Sequence, residues 1–252
     1  MSALYDSLRD RPVLVTGGAS GIGAAIVAGF VRNHARVAFI DIDRAAAGAL
    51  VGGFRGATHA PLFLPCDLTD TAALRAATAE AGARLGPIAV LINNAANDSR
   101  ERVDEVTPES WDRSFAVNLR HQFFAAQAVR PQMQARGGGA IVNLSSIAWM
   151  GGATGMISYA TAKAGVLGLT RSLGREFGPD RIRVNAIAPG AVLTPRQMRL
   201  WFTPASAAEL VARQAIAEPV REDDVAAAAL FLAADDSRSI TRQCLIVDGG
   251  LR

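Results

Sequence analysis

Lysine is almost missing from this sequence: of 26 basic residues only Lys163 is one, and the rest are arginine. Tyrosine is nearly as scarce, at Tyr5 and Tyr159. A chain rich in Ala, Gly and Arg reads as the product of a biased genome. A position that stayed lysine under that bias needs an amine, because a guanidinium differs in pKa, shape and hydration. Cysteine occurs twice, at Cys66 and Cys244, which excludes a disulfide framework and a CxxC pair. His34, His59 and His121 are scattered and make no metal spacing. No apolar run is long enough to span a bilayer, and residues 1–11 are polar and charged with no signal-peptide core. A cytoplasmic protein away from membranes is expected. Net charge is +3 with no block of like charges, so nucleic-acid binding has no footprint. Charged residues are only 19% of the chain and apolar ones 50%, which excludes disorder.

What is present alternates. The 252 residues suit one large α/β domain spanning 1–252. Strands are predicted at 13–16, 36–40, 62–64, 89–92, 140–144, 183–187 and 243–247. Helices are predicted at 22–33, 43–50, 71–85, 107–136, 158–177, 205–214 and 223–234. Pro131 should kink the end of the long helix. Residues 190–203 have no period and read as a loop, within a substrate segment of about 190–214. Seven strands separated by helices predict one parallel, doubly wound Rossmann-like sheet.

Gly17-Gly18-Ala19-Ser20-Gly21-Ile22-Gly23 follows the first strand and opens the first helix. A pyrophosphate approaches backbone N–H groups at such a helix N-terminus, where side chains would block it. The spacing is G-x-x-x-G-x-G, not G-x-G-x-x-G. Asp41 ends the second strand, where a carboxylate accepts from the adenosine ribose hydroxyls and repels a 2′-phosphate. NAD is therefore expected over NADP, with Ser20 in the loop where a basic residue would favour the phosphate. Asp67, after the third strand, faces the adenine or caps a turn. Tyr159 and Lys163 share one helical face, and a nearby ammonium lowers a phenol's pKa, making it a usable base. Ser145 and Ser146 end the fifth strand and Asn93 and Asn94 the fourth, where open α/β sheets bind ligands. Asn118 lies inside the long helix, although Asn is a poor helix former.

Together these residues resemble the short-chain dehydrogenase/reductase family over nearly the whole chain. The match rests on Thr16-Gly17-x-x-x-Gly21-x-Gly23, Asp67, Asn93-Asn94-Ala95, Asn118, Ser146, Tyr159-x-x-x-Lys163, Asn185, Pro189-Gly190 and Asp248-Gly249-Gly250. The resemblance implies an NAD(P)-dependent oxidoreductase with Tyr159 as general base, Lys163 on the nicotinamide ribose, Ser146 orienting the substrate oxygen and Asn118 holding a relay water. It also implies cofactor contacts at Ile22, Leu68, Asn94, Ala95, Pro189, Gly190, Val192 and Thr194. Ala96 departs from the family's usual Gly. Loop sequences such as Asn97-Asp98, Val117-Asn118-Leu119-Arg120-His121 and Thr194-Pro195-Arg196-Gln197-Met198 are similar to bacterial aldose 1-dehydrogenases of the xylose type. That similarity implies a monosaccharide substrate, and Asn97, Trp149, Arg196 and Trp201 are the candidate sugar contacts. A ketoreductase of acyl or steroid type would have a more apolar pocket. A silent nucleotide-binding protein would have lost Tyr159, Lys163 or Ser146. Trp111, Phe115, Leu119 and Phe123 form one apolar stripe and Val117, Phe124 and Ala128 another. A surface helix needs only one, so a homotetramer is expected, with this helix and 158–177 at its interfaces.

Overall fold

The computed structural model describes residues 3–252, so the first two residues of the expected 1–252 domain lie outside it. The strands are β1 (Pro12–Thr16), β2 (Arg36–Asp41), β3 (Leu62–Pro65), β4 (Val90–Asn93), β5 (Gly139–Leu144), β6 (Ile182–Pro189) and β7 (Cys244–Val247). They form one parallel sheet in the order β3-β2-β1-β4-β5-β6-β7. Every residue of β1 and β4 is buried, as a parallel strand covered on both faces requires.

The crossovers supply the cover. They include α1 (Gly21–Arg32), α2 (Arg44–Gly52), α3 (Thr71–Leu85), α4 (Pro108–Phe115), α5 (His121–Ala135), α6 (Ala148–Gly151) and α7 (Ile157–Phe177). After β6 come α8 (Pro195–Leu200), α9 (Pro204–Ala212) and α10 (Glu222–Ala233). One core lies between the sheet and α1 and α10, around Phe30, Phe39 and Leu230. The other lies under α3, α5 and α7, around Leu74, Met133 and Phe177. No described helix is long and apolar enough to cross a membrane.

Two expectations are corrected. The long helix over 107–136 is not continuous. Ala116–Arg120 is a π-helical turn between α4 and α5, with one residue more per turn than an α-helix. Pro131 lies inside α5, which continues to Ala135, next to the expected end at Arg136. The stretch 190–203 is not all loop. Thr194 Oγ1 accepts from Gln197 N at 3.2 Å and Pro195 occupies the first turn, so α8 begins there. The start of α4 is firmer than its sequence suggested, because Thr107 and Ser110 exchange both capping bonds at 3.1 and 3.2 Å.

Arg183 anchors the far side of the sheet. Its Nη1 donates to Leu232 O at 2.7 Å and Ser237 Oγ at 2.9 Å, and its Nη2 to Ala234 O at 3.1 Å. Leu232 O and Ala234 O are open carbonyls at the end of α10, where a cation also meets the negative end of the helix dipole. Arg183→Leu leaves them unpaired and should cost about 2–3 kcal/mol of unfolding free energy, measured by urea titration. A loss under about 0.5 kcal/mol, as for an ordinary surface change, would contradict this role.

Candidate active site

Strand order reverses between β1 and β4, and the loops leaving those strands part over the sheet's carboxyl edge. A cleft of about 710 Å³ opens there. It runs from the glycine loop past Asp41, Asp67 and Leu68 to Ser146, Tyr159 and Lys163, and under Pro189–Thr194.

The glycine loop is built for close approach. Gly17 has φ +66° and Gly21 φ +52°, in the left-handed region that favours glycine. A Cβ on Gly23 would stand 1.8 Å from Gly17 O, and one on Gly17 2.7 Å from Ala95 Cα. Ser20 lines the cleft and precedes α1 without a side-chain capping bond, so its hydroxyl does not cap the first amides of α1. Ile22 and Gly23 line the cleft beside it. This bare, tight turn fits a dinucleotide pyrophosphate. Asn94 braces the loop: its Nδ2 donates to Thr16 O at 3.1 Å and Gly17 O at 2.8 Å. Thr16 Oγ1 in turn accepts from the amides of Asn94 and Ala95 at 3.0 and 3.1 Å.

Asp41 accepts from Ala19 N at 2.9 Å and Asp43 N at 3.0 Å, so the carboxylate at the end of β2 also fixes the glycine loop. Asp67 accepts from Thr69 N and Oγ1 at 2.8 and 2.7 Å, which makes it a turn former that still lines the cleft. Ile42 lies between these carboxylates on the cleft, 73% exposed, an apolar surface suited to the flat face of a base. Sequence reading missed it; an isoleucine directly after the strand-ending acid was the available signal.

At the other end, Tyr159 and Lys163 lie one turn apart on α7, with Lys163 Nζ 5.7 Å from the phenol ring centre. Lys163 is 1% exposed, and its ammonium donates to Leu144 O, the last carbonyl of β5, at 2.7 Å. Burial pulls its pKa down to about 7. Burial also pushes the Tyr159 phenol up to about 12; the Ser146 hydroxyl and Arg196 act downward and Asp98 upward. In the protein alone desolvation dominates the phenol, and the groups that act downward on it are Ser146 and Arg196, not the anticipated Lys163. Ser145 Oγ donates to Lys163 O at 2.7 Å and is buried, whereas Ser146 lines the cleft and accepts from Ala148 N at 3.1 Å.

Asn118 is fully buried in the π turn. Its Oδ1 accepts from Asn97 N and its Nδ2 donates to Asn97 O, both at 2.9 Å. The Asn118 side-chain amide thus makes a backbone clamp on the loop after β4. That loop carries Asp98, a buried carboxylate that sequence reading did not single out. Arg196 Nη1 donates to its Oδ1, and Gln197 Nε2 to its Oδ2 at 2.7 Å. Asn97, Asp98, Arg196 and Gln197 all line the cleft. Trp149 and Trp201 are not brought to it. Trp149 lines a separate groove with Val103 and Ile157. Trp201 lies under the Arg100 guanidinium, 4.4 Å from the ring centre. Val192 is buried on the cleft wall, and Gly190 packs so close to Asp248 that a Cβ would stand 2.9 Å from its Cα.

A family model described as "Enoyl-(Acyl carrier protein) reductase" matches residues 17–252. The "Probable galactose dehydrogenase GalD" of Rhizobium meliloti is 51% identical over 251 residues, covering 99% of this chain and 98% of that one. The "D-xylose 1-dehydrogenase" of Caulobacter vibrioides is 45% identical over 251 residues, covering 100% and 99%. The crystal structure of "a putative short-chain alcohol dehydrogenase from Sinorhizobium meliloti" superposes with a TM-score of 0.93 at 31% identity, covering 98% of each chain.

One buried titratable group stands apart from these contacts. His121 follows the π turn, is 1% exposed, and neither ring nitrogen has a hydrogen-bond partner among the described residues. Burial and the nearby Lys163 charge lower its pKa from 6.5 to about 3. Between those values the unfolded chain binds a proton that the folded chain refuses, so stability is full above pH 6.5 and drains as pH falls toward 3. His121→Leu removes this contribution. Relative to wild type, the variant should gain about 2 kcal/mol between pH 7 and pH 5, read by urea unfolding at both values. A pH-independent difference between the two proteins would contradict the assignment.

Proposed function

The chain belongs to the short-chain dehydrogenase/reductase family of oxidoreductases, and from that premise we propose that it oxidises a free aldose at C1 to its lactone with NAD. The observation that carries this reading is the polar cleft wall of Asn97, Asp98, Arg196 and Gln197 beside Ser146 and Tyr159. Such a wall is matched to several hydroxyls, and a site built to hydrogen-bond them rejects analogues that lack them. The relatives named "Probable galactose dehydrogenase GalD" and "D-xylose 1-dehydrogenase" support it. We read residues 1–252 as a single catalytic domain acting in the cytoplasm, which suits its two free cysteines.

In the proposed mechanism Ser146 Oγ hydrogen-bonds the sugar's C1 oxygen, and Tyr159, acting as the phenolate, takes the hydroxyl proton and becomes the neutral phenol. The C1–H bond breaks with its electron pair, and the C1–O bond becomes the lactone carbonyl. When bound, NAD would supply the nicotinamide carbon that accepts the hydride and a positive ring charge that favours the Tyr159 phenolate before it takes the proton. Lys163 would hold the nicotinamide ribose; with its pKa near neutrality it also holds or releases a proton beside the phenol. Asn118 keeps the wall in place through Asn97. Gly17 to Gly23 would hold the pyrophosphate, Asp41 the adenosine ribose, Asp67 and Leu68 the adenine side, and Asn94, Ala95 and Pro189 to Thr194 the nicotinamide half.

We further propose a homotetramer built on α4, α5 and α7. Phe123 is 38% exposed there, and Trp111 and Phe115 stack at 4.9 Å on the same stripe.

Tyr159→Phe should bind the cofactor normally and lose roughly 100- to 10,000-fold in kcat with the best substrate of an aldose panel. A loss below tenfold would remove Tyr159 from the chemistry. If the panel gives no NADH while an acyl thioester or hydrophobic ketone is reduced, the aldose reading fails. For the cofactor, kcat/KM should favour NAD, and Asp41→Ala should narrow the preference by removing the charge that repels a 2′-phosphate. Equal efficiency with NADP in the wild type would contradict this.

A further inference from the structure

Asp98 differs from the other charged groups of the substrate end in one respect. It is 9% exposed, whereas Arg100, Arg196, Arg213 and Arg252 stand exposed at the rim of the same cleft. Both carboxylate oxygens are engaged, Oδ1 by Arg196 and Oδ2 by Gln197 at 2.7 Å. Arg196 also reaches Asn97 Oδ1 with its second terminal nitrogen, at 3.4 Å. Arg100 is spent on the Trp201 ring. The inner wall facing Tyr159 therefore carries one negative and one positive group in direct contact, and their charges cancel.

We propose that the Asp98–Arg196 pair is a specificity element that sets the charge of the accepted substrate. Asp98 masks the Arg196 guanidinium, and the wall then offers hydrogen bonds but no free charge. A neutral polyhydroxylated substrate can exchange hydroxyl hydrogen bonds with such a wall. A substrate carboxylate that meets the Asp98 oxygens finds the Arg196 guanidinium beside them already paired. A buried charge without a partner is strongly disfavoured. Removing Asp98's charge uncovers Arg196, which then matches a carboxylate with a bidentate fork.

This inference rests on the reading that neutral aldoses are turned over at Tyr159. The test compares D-galactose with D-galacturonate, which replaces the C6 hydroxymethyl group by a carboxylate, in wild type, Asp98→Asn and Arg196→Gln. Asp98→Asn should raise the ratio of kcat/KM for galacturonate over galactose by at least about tenfold, chiefly through KM, with the KM for NAD unchanged. Arg196→Gln should lower the same ratio. The same bonds also pin α8 to the loop after β4, and loss of pinning alone would lower both substrates together. An unchanged ratio, or a parallel fall of both, overturns the proposal. Arg196 is an exposed residue, so its variant carries the test if Asp98→Asn does not fold. Thermal midpoints give an independent reading. Galacturonate should raise the midpoint of Asp98→Asn and not that of wild type. No turnover of either sugar by wild type sinks the aldose reading, while the midpoints still decide for or against the charge mask.

Discussion

Burying an ammonium is the most demanding thing this fold does. Lys163 is 1% exposed in a chain that otherwise uses arginine, and its direct partner among the protein's groups is the Leu144 carbonyl at 2.7 Å. A buried cation costs several kcal/mol unless it is paired or sheds its proton. The structure answers on both counts. The last carbonyl of β5 is aimed at the amine, and the amine's pKa falls to about 7. A guanidinium cannot shed its proton, and it needs several acceptors in one plane where this site aims a single carbonyl. The parallel register of β5, the start of α7 and the Ser145 bond to Lys163 O follow as conditions for placing that one atom beside Tyr159.

A second line of contacts runs from the π turn outward. The extra residue in that turn goes with Asn118 facing inward, where its amide meets both backbone groups of Asn97. Asn97 carries Asp98, and Asp98 holds Arg196 and Gln197 at the start of α8. Irregularity in α4–α5 is in this way converted into the position of a short helix over the cleft. Each step is a hydrogen bond between groups that are distant in sequence. The coupling therefore belongs to the folded state and has no local signature.

That difference explains what could be read in advance. Short apolar runs such as Val90-Leu91-Ile92 and the glycine loop before α1 are local patterns, and they marked the sheet and its switch point. The π turn was not legible because one inserted residue barely disturbs the apolar spacing, and what Asn118 engages lies 21 residues away. The six residues of α8 are too few to show a period, although Thr194 before Pro195 was a start signal. Reading Lys163 as an acidifier of Tyr159 weighed charge but not burial, and burial acts on both groups. The indoles of Trp149 and Trp201 were assigned from nearness in sequence. Their directions are set by packing, under Arg100 in the case of Trp201. Asp98 had a visible cue as the acid next to Asn97, but its importance comes from Arg196 and Gln197 across the cleft.

The central claim is that hydride leaves the anomeric carbon of a sugar whose hydroxyl proton is taken by Tyr159. The most direct measurement uses an aldose deuterated only at C1, with the reduced cofactor and the sugar product followed by NMR. The account predicts deuterium at C4 of the nicotinamide and an unlabelled lactone as the first product. Unlabelled reduced cofactor, with deuterium retained in a sugar oxidised at another carbon, would contradict it.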